Sequence, residues 1–320
     1  MIKAVSAGDL LIDFNTISTD LLGYPALQAN PGGDVGNYIA AMSRFGADAY
    51  FIGKLGNDAF GHLIMKTLKD IGVNTSGIVV TDDAFTTLAF VTLDETGDRE
   101  FSFARKPGAD ILLDFDEIDL TILDGVDVLH ISSVGMTDEP SRTALRKLAE
   151  YAKSRGVLIS YDPNLRLPLW KSEEEAREQM LWGLSIADVA KIGEEEIDFI
   201  YGFGCTPEDG AQRILTLNDN LRLVFATCGA RGCFYNNRAA KGFVPAMSEI
   251  RVIDTVGAGD IFGGSAMFRL LSLGKSIEAL NGDELDDIVR FACTAAGLST
   301  TKHGGIPSIP SLEEVERAMK

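Results

Sequence analysis

The stretch DTVGAGD, residues 254–260, runs directly into IFGGSAMFRLLSL, residues 261–273, so a turn of small residues enters a long apolar helical pattern. Glycines at Gly257 and Gly259 let backbone amides come close to a ligand, and the unpaired N–H groups of a helix start attract anionic oxygen. Phosphoryl transfer needs such fixed dipoles, because charge develops on the transferred group. An acid in the same turn, Asp260, would stand within reach of an attacking hydroxyl. Taken alone, the same residues also make an ordinary glycine turn with a helix-start acid that suits the helix dipole.

Outward from this turn, short β-branched or apolar runs recur at residues 2–7, 49–53, 126–132, 157–162, 187–192 and 222–227. Helical patterns at 35–45, 59–71, 141–154 and 172–185 separate them. Such alternation predicts an α/β fold, a mostly parallel central sheet with helices on both faces. One region breaks it: 86–93 and 99–105 read as two strands joined by a polar turn at 94–98, with no helix between. With residues 9–14 they could make a small β-sheet lid over a site, or a hairpin on the edge of the main sheet. No repeat or linker divides the chain, so residues 1–320 read as a single domain with lid segments at about 9–34 and 86–106.

Composition narrows the function. The 29 Lys and Arg against 47 Asp and Glu leave a net charge of -18, which repels a phosphate backbone and argues against nucleic acid as a partner. Any polyphosphate site must then focus a few cations in a cleft, with Arg105, Arg166 and Lys191 as candidates. The four cysteines, Cys205, Cys228, Cys233 and Cys293, form no CxxC pair and read as reduced structural thiols. Asp9 and Asp13 interrupt the N-terminal apolar run and no segment reaches the length of a membrane span, so the expectation is a cytoplasmic protein with no membrane partner. The triplet Gly274, Lys275, Ser276 lacks the upstream glycine of a Walker A loop, where Arg269 stands, and no GxGxxG follows a strand.

The chain resembles the PfkB, or ribokinase-like, carbohydrate kinases over nearly its whole length. The second family motif matches residues 254–266, and the first matches Gly32, Gly33, Asp34, Val35, Gly36 and Asn37 with the segments that follow to Gly61. YDPNLRLPLW (161–170) and REFSFARKPGAD (99–110) are similar to fructokinases in particular. The resemblance implies that Asp260 is the catalytic base and that the amides of Gly257, Ala258 and Gly259 form an anion hole, as the turn itself predicts. It also implies sugar binding by Asp13, Gly32, Gly33 and Asn37, closure over the substrate by Phe103 and Arg105, and a place near the transferred phosphate for Asn164 and Arg166. Lys191, Thr227 and Gly229 would serve the nucleotide, and Glu196 would organise hydrated Mg2+ with ATP. Asp254 and Ser308, with Gly304 and Gly305, resemble loops that hold K+.

Each of these residues also has a plain structural role open to it, such as a helix cap for Asn37 or a surface salt bridge for Arg166. The chain departs from the family at Gly193 and Cys293, where asparagines are usual, and at Asp34 and Val35, where fructokinases carry small residues or proline. The resemblance implies phosphorylation of a small sugar by ATP, D-fructose foremost. Ribose, 2-keto-3-deoxygluconate and a non-catalytic sugar-binding role are the alternatives. It also implies a homodimer formed through the lid.

Overall fold

In a computed structural model describing residues 1–93, 99–202 and 204–320, the apolar runs read from the sequence form strands of one sheet. The chain makes β1 (Lys3–Ala7), β2 (Leu11–Thr19), β3 (Pro25–Gly32), α1 (Asp34–Arg44), β4 (Asp48–Gly56), α2 (Ala59–Asp70) and β5 (Asn74–Thr81). It continues as β6 (Thr87–Leu93), β7 (Arg99–Ala104), β8 (Val128–Ser132), α3 (Ser141–Ser154), β9 (Leu158–Asp162), α4 (Glu173–Ile186) and β10 (Val189–Gly193). The last part comprises α5 (Glu194–Tyr201), α6 (Pro207–Leu217), β11 (Leu223–Thr227), β12 (Gly232–Asn236), β13 (Lys241–Pro245), α7 (Ala258–Ser272), α8 (Gly282–Ser299) and α9 (Leu312–Ala318).

The main sheet runs in the order β13-β12-β11-β10-β9-β8-β1-β4-β5. It is parallel except where β12 pairs antiparallel with β11 and β13. Successive side chains along its strands enter opposite cores: Phe51 packs on one face with Tyr38, Ile39 and Phe291, while Ile52 packs on the other with Leu145, Leu148 and Ile159. Burial on both faces explains why these strands read as continuous apolar runs.

The helix that follows the glycine turn is set by close packing. A Cβ at Gly264 of α7 would lie 2.4 Å from the Tyr38 carbonyl of α1, so only glycine lets the two helices approach this closely. That contact brings the start of α7 against the start of α1, beside the ends of β9 and β10.

The two strands 86–93 and 99–105 do not extend the main sheet. They form a separate four-stranded sheet, order β3-β2-β6-β7, in which β2 runs parallel to β6 and antiparallel to β3. The polar turn expected at 94–98 lies outside the described residues. Phe14 stacks on Phe90 at 5.3 Å and meets Phe60 of α2 edge-on at 5.4 Å, which fastens the small sheet to the body.

Candidate active site

Between the small sheet and the C-terminal ends of the parallel strands lies a cleft of about 130 Å³. Asp9, Asp13, Gly33, Asp34, Asn37, Phe103, Asn164, Arg166, Gly257 and Asp260 line it. The end of a parallel strand leaves unpaired backbone groups and gathers loops, which is why α/β sites form there.

Gly257 takes a left-handed conformation, φ 73°, and caps α7; the next helical bond is Ile261 N–H to the Gly257 carbonyl at 2.8 Å. The Ala258 amide donates to the Thr255 carbonyl at 3.3 Å, so this member of the expected anion hole is already engaged. Asp260 sits in the first turn of α7, half-buried. Asn37 Nδ2 donates to its Oδ2 at 2.9 Å. Burial pushes the Asp260 carboxyl up to about 6, the Asp34 carboxylate adds to the rise, and Lys191, the Asn37 hydrogen bond and Arg166 pull it back.

Lys191 reaches the same turn from β10. A Cβ at Gly259 would lie 3.3 Å from its Nζ, and Nζ donates to Asp162 Oδ2 at 2.8 Å. Burial alone would lower the Lys191 ammonium, but Asp162, Glu196 and Asp260 overcome it and hold the ammonium above its ordinary range. The lysine is therefore a fixed positive charge beside the glycine turn.

Asn164 adopts a positive φ of 42°, unusual for a residue with a side chain. Its amide N–H donates to Asp162 Oδ1 at 3.1 Å and its Nδ2 to Asp34 Oδ2 at 2.5 Å, so two carboxylates hold the loop in place. Glu196 spends both oxygens on backbone amides, Oε1 on Leu165 at 3.0 Å and Oε2 on Gly193 at 2.5 Å. Among the described residues no group of three or more His, Cys, Asp or Glu is placed to hold a metal ion.

Several expected residues stand elsewhere. Arg105 is buried beneath the small sheet and does not line the cleft: Nε and Nη2 donate to Asp110 Oδ2 at 2.8 and 2.6 Å, Nη1 to Thr137 Oγ1 at 2.8 Å. Its place just past the end of β7 turns it away from the strand face that Phe103 shares with the cleft. Gly32 backs Asp13, where a Cβ would sit 2.4 Å from Oδ2. Thr227 ends β11 and Gly229 follows it, both outside this cleft, and Cys293 is buried in α8 with its thiol pushed up to about 12 by burial. Asp254 binds the Val256 and Gly304 amides, each at 3.0 Å, and Ser308 Oγ donates to the Gly305 carbonyl at 2.7 Å.

The model for the pfkB family carbohydrate kinases matches residues 1–312. The chain belongs to this family. Fructokinase-1 of Zea mays is 40% identical to this member over 313 residues, 97% of this chain and 95% of that protein. Fructokinase of Xylella fastidiosa with bound ATP superposes with a TM-score of 0.90 at 30% identity, covering 100% of this chain and 98% of that one. Fructokinase of Vibrio cholerae with fructose, ADP and calcium ion gives 0.86 at 29%, covering 100% and 99%. Like the family at large, this chain is a carbohydrate kinase of ribokinase-like fold.

Motif reading singled out neither Asp9 nor Asp162 as a site residue, although both sit at strand ends on the cleft side. An acid at or just beyond the end of an apolar run is the signal that marks both, Asp162 closing β9 and Asp9 standing two residues past β1. Nor did it find the buried layer beneath, where Tyr38 stacks on His130 at 3.5 Å and both meet Ser160 Oγ, at 3.2 and 3.0 Å. Burial pushes His130 down to about 3, so this imidazole stays neutral and packs as an aromatic ring.

Proposed function

We propose that the protein phosphorylates D-fructose with ATP, on the primary O6 hydroxyl, with Asp260 as general base. The observation carrying this reading is the Asp260 carboxylate at a helix start, held by Asn37 and facing a cleft that Asp13, Phe103 and Arg166 complete. The hydroxyl proton passes to Asp260, the oxygen forms its bond to the γ-phosphorus, and the bond to the bridging oxygen breaks with its electron pair leaving on ADP. The Gly257 and Gly259 amides and the Lys191 ammonium face the charge that develops on the transferred group.

Magnesium would arrive on the ATP phosphates, and Glu196 fits a water-mediated partner because its oxygens, though committed to amides, keep further lone pairs. The bound ion would neutralise phosphate charge. Fructose in the Vibrio cholerae neighbour and ATP in that of Xylella fastidiosa support both substrates. Exposed Ile17, Leu21, Leu22, Tyr24 and Leu27 at the β2–β3 hairpin support a homodimer through the small sheet.

An ADP-release assay with magnesium, potassium and ATP across fructose, ribose, tagatose, adenosine, inositol and 2-keto-3-deoxygluconate tests the reading. The highest kcat/KM is expected for fructose; another sugar winning would rename the kinase. Silence across the panel with sugar binding still measurable would leave a non-catalytic binding protein.

A further inference from the structure

Two carboxyl groups in the cleft neither take the hydroxyl proton nor meet the transferred phosphate in the reaction above. Asp9, after β1, lines the cleft yet is only 2% exposed, and its Oδ1 receives no hydrogen bond from the described residues. Asp34, the first residue of α1, lines the same wall, next to Gly33, where a Cβ would lie 2.7 Å from the Asp9 carbonyl, and is fixed by the Val35 amide at 2.6 Å and by Asn164 Nδ2. With Asp13 and Asp260 they bring four carboxyls to a cleft whose lining includes one cation, Arg166. Arg105, the other arginine nearby, is committed to Asp110, Thr137 and the Val134 carbonyl.

We propose that the Asp9–Asp34 pair sets the substrate class of this kinase, accepting a neutral polyhydroxy sugar through its hydroxyls and rejecting sugars that carry a carboxylate. The inference rests on the kinase reading. A neutral sugar brings O–H donors to a wall short of donors. A sugar acid brings a second negative charge to carboxyls that cannot swing away, and a juxtaposition of like charges lowers affinity by roughly 100-fold or more. Burial and Asp34 hold the Asp9 carboxyl well above its ordinary range, with Arg105 opposing and Asp110 adding. The Asp9 carboxyl therefore holds a proton that it can donate to a sugar hydroxyl, while its other oxygen accepts.

The test compares D-fructose with 2-keto-3-deoxygluconate, by kcat/KM and by calorimetric Kd, in the full chain, in Asp34→Asn and in Asp9→Asn, with melting curves to verify folding. The wild type is expected to favour fructose by roughly 100-fold in both readouts, and Asp34→Asn to narrow that ratio by about 10-fold through KM rather than kcat, with a smaller narrowing in Asp9→Asn because a protonated carboxyl and an amide carry the same charge. A wild type that takes the sugar acid as readily as fructose overturns the proposal, as does an unchanged ratio in both folded variants. Should fructose bind without ATP-dependent turnover, the kinase reading fails while the Kd ratio still decides this one: preference for the neutral sugar supports it, and preference for the acid overturns it.

Discussion

Asn37 Nδ2 donates to Asp260 Oδ2 at 2.9 Å, joining the starts of two helices across 223 residues of sequence. The bond favours the ionised carboxyl, whereas burial and Asp34 oppose ionisation and bring it up to about 6. A general base works only when deprotonated, so kcat/KM should rise with pH through about 6 and level off above. Removing the donor with Asn37→Ala should move this acid limb to higher pH, and Asp34→Asn should move it to lower pH. The pH–rate profiles of both variants check the sign; limbs that move together, or stay fixed, exclude Asp260 as the titrating base.

Asp260→Asn keeps the shape of the residue but cannot take a proton. Turnover should fall by about 100-fold or more, with fructose binding preserved by calorimetry. Near-normal kcat would remove Asp260 from the assigned role.

Arg105→Ala leaves Asp110 as a buried carboxylate whose remaining side-chain partner among the described residues is Thr87 Oγ1 at 2.5 Å. Breaking one side of a buried pair costs about 3 kcal/mol or more, so Tm should drop clearly. An unchanged Tm with a large rise in the KM for fructose would instead return Arg105 to the contact with substrate that motif resemblance implies.

Asp254 ties the turn before α7 to Gly304, and Ser308 ties the loop beyond it. A potassium ion on this oxygen-rich pair of loops should order the glycine turn and raise kcat. Replacing potassium by tetramethylammonium at constant ionic strength measures it; an indifferent rate would leave Asp254 as a turn cap.

Leu21 and Leu22 stand fully exposed at the tip between β2 and β3. If the small sheets of two copies pair there, light scattering should find a dimer, and Leu21→Glu with Leu22→Glu should shift it to monomer. A monomeric wild type at micromolar concentration would end that proposal.

The sequence by itself determined the α/β architecture, because strands buried on both faces are apolar at most positions, and such runs are visible in a single chain. It also placed Asp260 at the glycine turn, since a helix start beside Gly257 and Gly259 is a local feature. β3 escaped reading: Pro25 and Pro31 are tolerated on an edge strand, and its first residues are exposed on both faces, so no alternation marks them. Tertiary structure alone decided which carboxyls meet. Asp34 comes within reach of Asn164 across 130 residues, and Arg105 chooses Asp110 over the cleft because the chain turns after β7. Backbone periodicity is set by near neighbours in the chain, whereas the partner of a buried charge is set by whichever distant element packs against it, and so the substrate-facing wall became legible only in three dimensions.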